Sequence, residues 1–101
     1  MNNNTDLLRG FFGAYFHQDW ELDAANTQEV VAQYVEVSTP EERRVLSQAI
    51  LEYCNRFTDD RELEEALDRE LYCEYPPSAD GLTAKGWLES VAAQFLKSTE
   101  S

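Results

Sequence analysis

Apolar residues along this chain return in adjacent pairs three to four positions apart, the spacing of one broad stripe on a 3.6-residue helix. Leu7, Leu8, Phe11, Phe12, Tyr15 and Phe16 lay out a first helix, with Asn4 or Thr5 as its cap and Asp6 suited to the positive helix N-terminus. Gly10 and Gly13 each weaken that helix by about 1 kcal/mol relative to alanine, and they leave room for a neighbouring helix to come close. The pattern breaks after Phe16. His17 to Asp23 read as a structured connection with one short turn.

The stripe resumes at Val30, Val31, Tyr34 and Val35. So many β-branched and aromatic residues also suit a strand, but the paired spacing, with Asn26 as cap and Glu29 three residues on, favours a second helix. Thr39-Pro40-Glu41-Glu42 is the clearest start signal in the chain: a threonine cap, proline at the first helical position and a glutamate completing the capping box. Val45, Leu46, Ala49, Ile50, Tyr53 and Cys54 are the buried face of this third helix, which is expected to end near Arg56 or Phe57. Thr58-Asp59-Asp60 opens a fourth, with Asp59 and Glu62 as its cap pair and Leu63, Ala66, Leu67 and Leu71 facing inward. Adjacent prolines and a glycine make Tyr75 to Gly81 a loop. Thr83 caps the last helix, whose stripe is Trp87, Leu88, Val91, Ala92, Phe95 and Leu96, with Lys97 at its negative end and a fraying tail beyond. No segment alternates with period two for long. The expected fold is therefore all-α: a compact single domain over residues 1–101, built as a bundle of about five short helices.

Charge changes the picture. Twenty acidic and eight basic residues give a net charge of −12, beyond the magnitude of about 2–8 comfortable for a small domain. Such a surface excludes direct binding to nucleic acid, which runs on cations, and disfavours anionic membranes. Disorder is excluded in turn by a content of 43% hydrophobic and 12% aromatic residues. The polar N-terminus reads as no secretory signal, and no apolar run is long enough to span a membrane. Cys54 and Cys73 form no C-x-x-C pair and read as reduced, mostly buried thiols, with a disulfide between them left open.

Candidate chemistry is sparse. His17 and Asp19 have the residue types of a base and its orienting carboxylate, but no nucleophile accompanies them, so a histidine at a helix end bonding nearby backbone is the better reading. Asp19-x-Glu21-x-Asp23 begins like a calcium loop, yet Ala24 and Val30 stand where that loop needs glycine and glutamate. With no metal cluster or phosphate loop, neither cofactor nor enzymatic activity is expected. The strongest hint is the fourth helix, which is expected to run from Asp59 to Glu74 and carries eight acids and two arginines. Asp60, Glu64, Glu65 and Asp68 fall away from the leucine stripe, and with Glu74 they are the candidate contacts for a basic partner. A solvated helix face is the plainer alternative.

One segment is far more specific. Leu8-Arg9-Gly10-Phe11-Phe12-Gly13-Ala14-Tyr15-Phe16-His17-Gln18-Asp19-Trp20 resembles the opening of immunity proteins from bacterial contact-dependent growth inhibition systems, and Gly86-Trp87-Leu88 after the proline-rich loop is similar to them as well. The resemblance implies a cytoplasmic bacterial protein that binds, one to one, the C-terminal toxin domain of a delivered effector, often a nuclease and most often a ribonuclease. It also implies that Phe12, Phe16 and Trp20 anchor the first helix while His17 and Asp19 fix the chain's exit by hydrogen bonds. A small acidic regulator or nucleic-acid mimic that binds another basic protein is the competing expectation from charge alone.

Overall fold

The computed structural model describes residues 3–17 and 19–99. Across them the paired stripes form six α-helices in order: α1 (Asn3–Tyr15), the single turn α2 (Trp20–Asp23), α3 (Thr27–Val37), α4 (Pro40–Cys54), α5 (Asp60–Arg69) and α6 (Ala84–Ser98). A short 3₁₀ turn, Pro77–Asp80, precedes α6. The all-α architecture is as expected, five full helices with the short turn placed between Phe16 and Asp23. The radius of gyration, 12.6 Å, is that of a compact domain of this length.

Local signals set most boundaries. Thr39 Oγ1 accepts from the Glu42 amide at 3.1 Å while Glu42 Oε1 accepts from the Thr39 amide at 2.8 Å, a complete capping box. Asn26 Oδ1 accepts from the Glu29 amide at 2.9 Å, so the valine-rich segment is a helix and not a strand. Thr83 caps α6 through the Gly86 amide. Helix α1 starts at Asn3, ahead of the expected Asn4 or Thr5 cap, and its own cap position lies outside the described residues. Helix α4 stops at Cys54, slightly before the expected Arg56 or Phe57.

Helices α4 and α6 lie along each other at the centre, α1 packs on α4, and α3 and α5 pack on α6. Phe12, Phe16, Leu46, Ile50, Leu63, Leu67, Leu88 and Phe95 are wholly buried between them. Val45 departs from its expected place: it is 50% exposed, because it sits at the edge of the α4 stripe where no neighbour covers it. Arg43, on the same helix, is buried instead. Its Nη1 donates to the Val35 and Ser38 carbonyls at 2.6 and 2.9 Å, satisfying groups that the end of α3 leaves unpaired.

Two expectations fail at the end of α5. The helix stops at Arg69, and the following stretch is extended, so Glu74 is not on a helix. The stop is made by Tyr72, whose φ of 57° lies in the left-handed region. The Leu71 and Cys73 amides close back onto the Ala66 and Leu67 carbonyls at 3.3 and 2.9 Å. A tyrosine there costs on the order of 1 kcal/mol, and it is held by the buried residues on either side and by Arg9, whose guanidinium lies 5.4 Å over its ring. Gly13 faces this segment and not a helix: a Cβ there would sit 3.5 Å from Tyr72 Cβ. Gly10 has nothing within 4 Å and admits no close neighbour.

Candidate functional site

The extended segment after Tyr72 alternates. Cys73, Tyr75 and Pro77 are buried, while Tyr72, Glu74, Pro76 and Ser78 are exposed, the period-two habit of extended chain. Its inner side is fixed to the aromatic corner at the end of α1. The Glu74 amide donates to the Phe16 carbonyl at 2.8 Å. The Tyr75 ring stands 4.9 Å from Trp87, 5.7 Å from Trp20 and 6.3 Å from Phe16, centroid to centroid. Tyr75 also donates its hydroxyl to Asp80 Oδ2 at 2.6 Å. Burial, and then this carboxylate, hold the phenol well above the usual tyrosine range. Glu74 thus projects from an anchored ridge.

Phe12 and Phe16 are fully buried and Trp20 is half-buried against Phe16. His17 Nδ1 accepts from the Asp19 amide at 3.0 Å, and the His17 carbonyl accepts from the Trp20 amide at 3.0 Å. Asp19 occupies the cap position of α2 but makes no side-chain cap bond; its backbone carbonyl takes the Leu22 amide. Its φ and ψ of −103° and 21° differ from the extended geometry of the Asn26 and Thr39 caps, which do accept an amide on the side chain.

The five candidate acids separate into two groups. Asp60 and Glu64 are engaged within the fold. Asp60 Oδ2 and Oδ1 accept from the Ala84 and Lys85 amides at 2.9 Å each, capping α6 from outside. Glu64 takes the Ser78 amide on Oε1 and the Ser78 hydroxyl on Oε2, again at 2.9 Å, tying α5 to the 3₁₀ turn. Glu65, Asp68 and Glu74 are exposed, and their carboxylates make no hydrogen bond or ion pair among the described residues. Glu64, Glu65 and Asp68 on one side and Glu74 and Pro76 on the other line a groove of about 330 Å³, floored by Cys73 and Tyr75. Asp60 lies outside it. Arg61 and Arg69, though on the same helix, do not line it either.

This groove offers acceptors and negative charge. Burial pushes the Cys73 thiol up to about 12, and Asp68 and Glu74 act in the same direction, so the sulfur stays protonated. Cys54 is pushed up to about 11, also by burial, and the two thiols are free. Among the described residues, no three metal-ligating side chains stand together and no helix is long and apolar enough to cross a membrane. What fits four carboxylates around an open groove is a set of lysine or arginine side chains. Sequence reasoning missed the ridge that makes one wall, and its only local signal was the apolar–polar–apolar run Cys73-Glu74-Tyr75.

Residues 4–95 match the family model described as CdiI immunity protein. No curated protein and no solved structure matches the chain. The match covers nearly all of the chain, and the chain belongs to the CdiI immunity protein family, whose members protect against the toxins of contact-dependent growth inhibition.

Proposed function

We propose that this CdiI-family member neutralises the C-terminal toxin domain of its cognate effector by laying the groove of Glu64, Glu65, Asp68 and Glu74 against a basic site on that domain. The observation that carries the reading is the wall-to-wall acidity of one groove in a chain of net charge −12, with no cation in its lining. A nuclease, and a ribonuclease foremost, is the toxin such a surface suits, because a site that attracts phosphates also attracts carboxylates. The protein acts by binding alone, one copy to one toxin, in the bacterial cytoplasm. Asp60 and Glu64 hold α6 and the 3₁₀ turn in place, and Glu65, Asp68 and Glu74 make the approach.

The test is expression of the toxin domain encoded beside this gene, with and without the protein, followed by gels of total RNA and DNA. The toxin alone degrades RNA and arrests growth, and co-expression of this protein restores both. Growth arrest with intact RNA and DNA would refute the nuclease reading, and arrest unrelieved by co-expression would refute neutralisation of that toxin.

A further inference from the structure

The ridge Glu74–Pro76 has a groove on each side. The second, of about 480 Å³, runs between the ridge, α2 with the start of α3, and the loop around the 3₁₀ turn. Trp20, Tyr75, Pro76, Ala79 and Leu82 are the apolar part of a mixed lining, and Leu82 is 46% exposed. Its charged lining residues are all acids: Glu21, Glu74 and Asp80. The start of α3, which borders it, does not call for an anion. The Glu29 amide is taken by Asn26 Oδ1 and the Ala25 amide by Glu29 Oε1. By contrast, the groove between α3 and α6 includes Lys97 and the one at the start of α5 includes Lys85.

The geometry points to this second groove as a docking site for a lysine- or arginine-bearing segment of the toxin, so that the toxin straddles the ridge and fills both grooves at once. The inference rests on the toxin-binding reading above. Apolar residues set beside carboxylates suit a side chain that is itself apolar along its stem and cationic at its head: the stem lies on Leu82, Pro76 and Trp20, and the head meets Glu21 and Asp80. The two grooves share Glu74, Tyr75 and Pro76 as a common wall, so one continuous partner surface reaches both. A second copy of this chain is a poor occupant, since it would bring a further −12 against the same acids.

The dissociation constant of the complex with the toxin domain separates the possibilities. Ala79→Arg with Glu21→Arg blocks and reverses the second groove through two exposed positions, and Glu65→Arg with Asp68→Arg reverses the first. Circular-dichroism melts identify variants that remain folded. Each pair is expected to weaken binding by about tenfold or more, and the quadruple variant by more than either. Leu82→Ser removes part of the floor without touching charge and is expected to weaken binding with little change in salt dependence. Wild-type affinity in both the Ala79/Glu21 variant and Leu82→Ser, with the Glu65/Asp68 variant impaired, would overturn the two-groove inference and leave the proposed function standing. A wild-type protein that does not bind the toxin at all would overturn the function itself. Self-association of the wild type that Ala79→Arg abolishes would assign the groove to a second copy and overturn the inference in another way.

Discussion

The aromatic corner and the acidic groove share one piece of chain, residues 74–76, and use it in opposite ways. On the inside, Tyr75 completes a ring cluster with Phe16, Trp20 and Trp87, and the Glu74 amide is spent on the Phe16 carbonyl. On the outside, the Glu74 carboxylate stands beside Glu65 and Asp68 with no cation in the groove lining. The interactions described for the corner are internal, so Phe16 above all answers to stability. At Glu65, Asp68 and Glu74 the groove carries like charge without an internal partner among the described residues, which slightly opposes folding. Such charge is what the proposed docking of a basic partner would use.

That contrast can be broken from the corner side with the largest effect. Phe16→Ala removes a wholly buried ring from the cluster and is expected to cost about 3–5 kcal/mol of folding free energy, read by chemical denaturation. A loss near zero would mean that the corner does not organise the core. Alkaline pH is the next lever. Burial holds Cys54 and Cys73 protonated in the native state, to about 11 and about 12, against an ordinary value of 9.0, and Tyr53 and Tyr75 shift the same way. The unfolded chain gives up these protons first. Stability is therefore full below about pH 9 and falls as pH rises toward 11, with a slope of up to about 1.4 kcal/mol per pH unit for each thiol. Urea melts from pH 8 to pH 11 on wild type and Cys73→Ala check it, the variant losing one thiol's share of the slope.

Within the acids, the comparison predicts a split. Asp60→Ala deprives the Ala84 and Lys85 amides of their acceptor and is expected to cost about 1 kcal/mol in a thermal or urea melt. Glu65→Gln and Asp68→Asn, on exposed carboxylates without internal partners, are expected to leave stability within about 0.5 kcal/mol of wild type or to raise it. Equal losses at Asp60 and Asp68 would erase the distinction between acids that hold the fold and acids that face a partner.

The same split marks where sequence reading stops. Thr39-Pro40-Glu41-Glu42 was legible because a capping box is a contract among residues three apart, and both of its bonds form. The stripes of α1, α4 and α6 were legible because period and burial are one fact, and only edge positions such as Val45 escape it. The acidic run was legible as composition, but not its division. Asp60 is bound by Ala84 and Glu64 by Ser78, partners 24 and 14 residues away that no local pattern announces. The end of α5 was hidden for a different reason. Tyr72 takes a left-handed conformation that glycine or asparagine would have flagged, and its cost is met by tertiary contacts with Arg9 and the buried residues beside it. Arg43 reads as a surface charge until the unpaired end of α3 is seen to need it.

The most direct test of the central claim is the association rate constant with the toxin domain, measured by stopped flow for wild type and for the Glu65→Arg, Asp68→Arg variant across about 0.02–0.5 M salt. If the acidic groove steers a basic toxin, the wild-type rate falls steeply as salt rises, the variant is about tenfold or more slower at low salt, and the two converge at high salt. Rates that agree within about twofold at every salt concentration would contradict the account and remove the groove from the encounter surface.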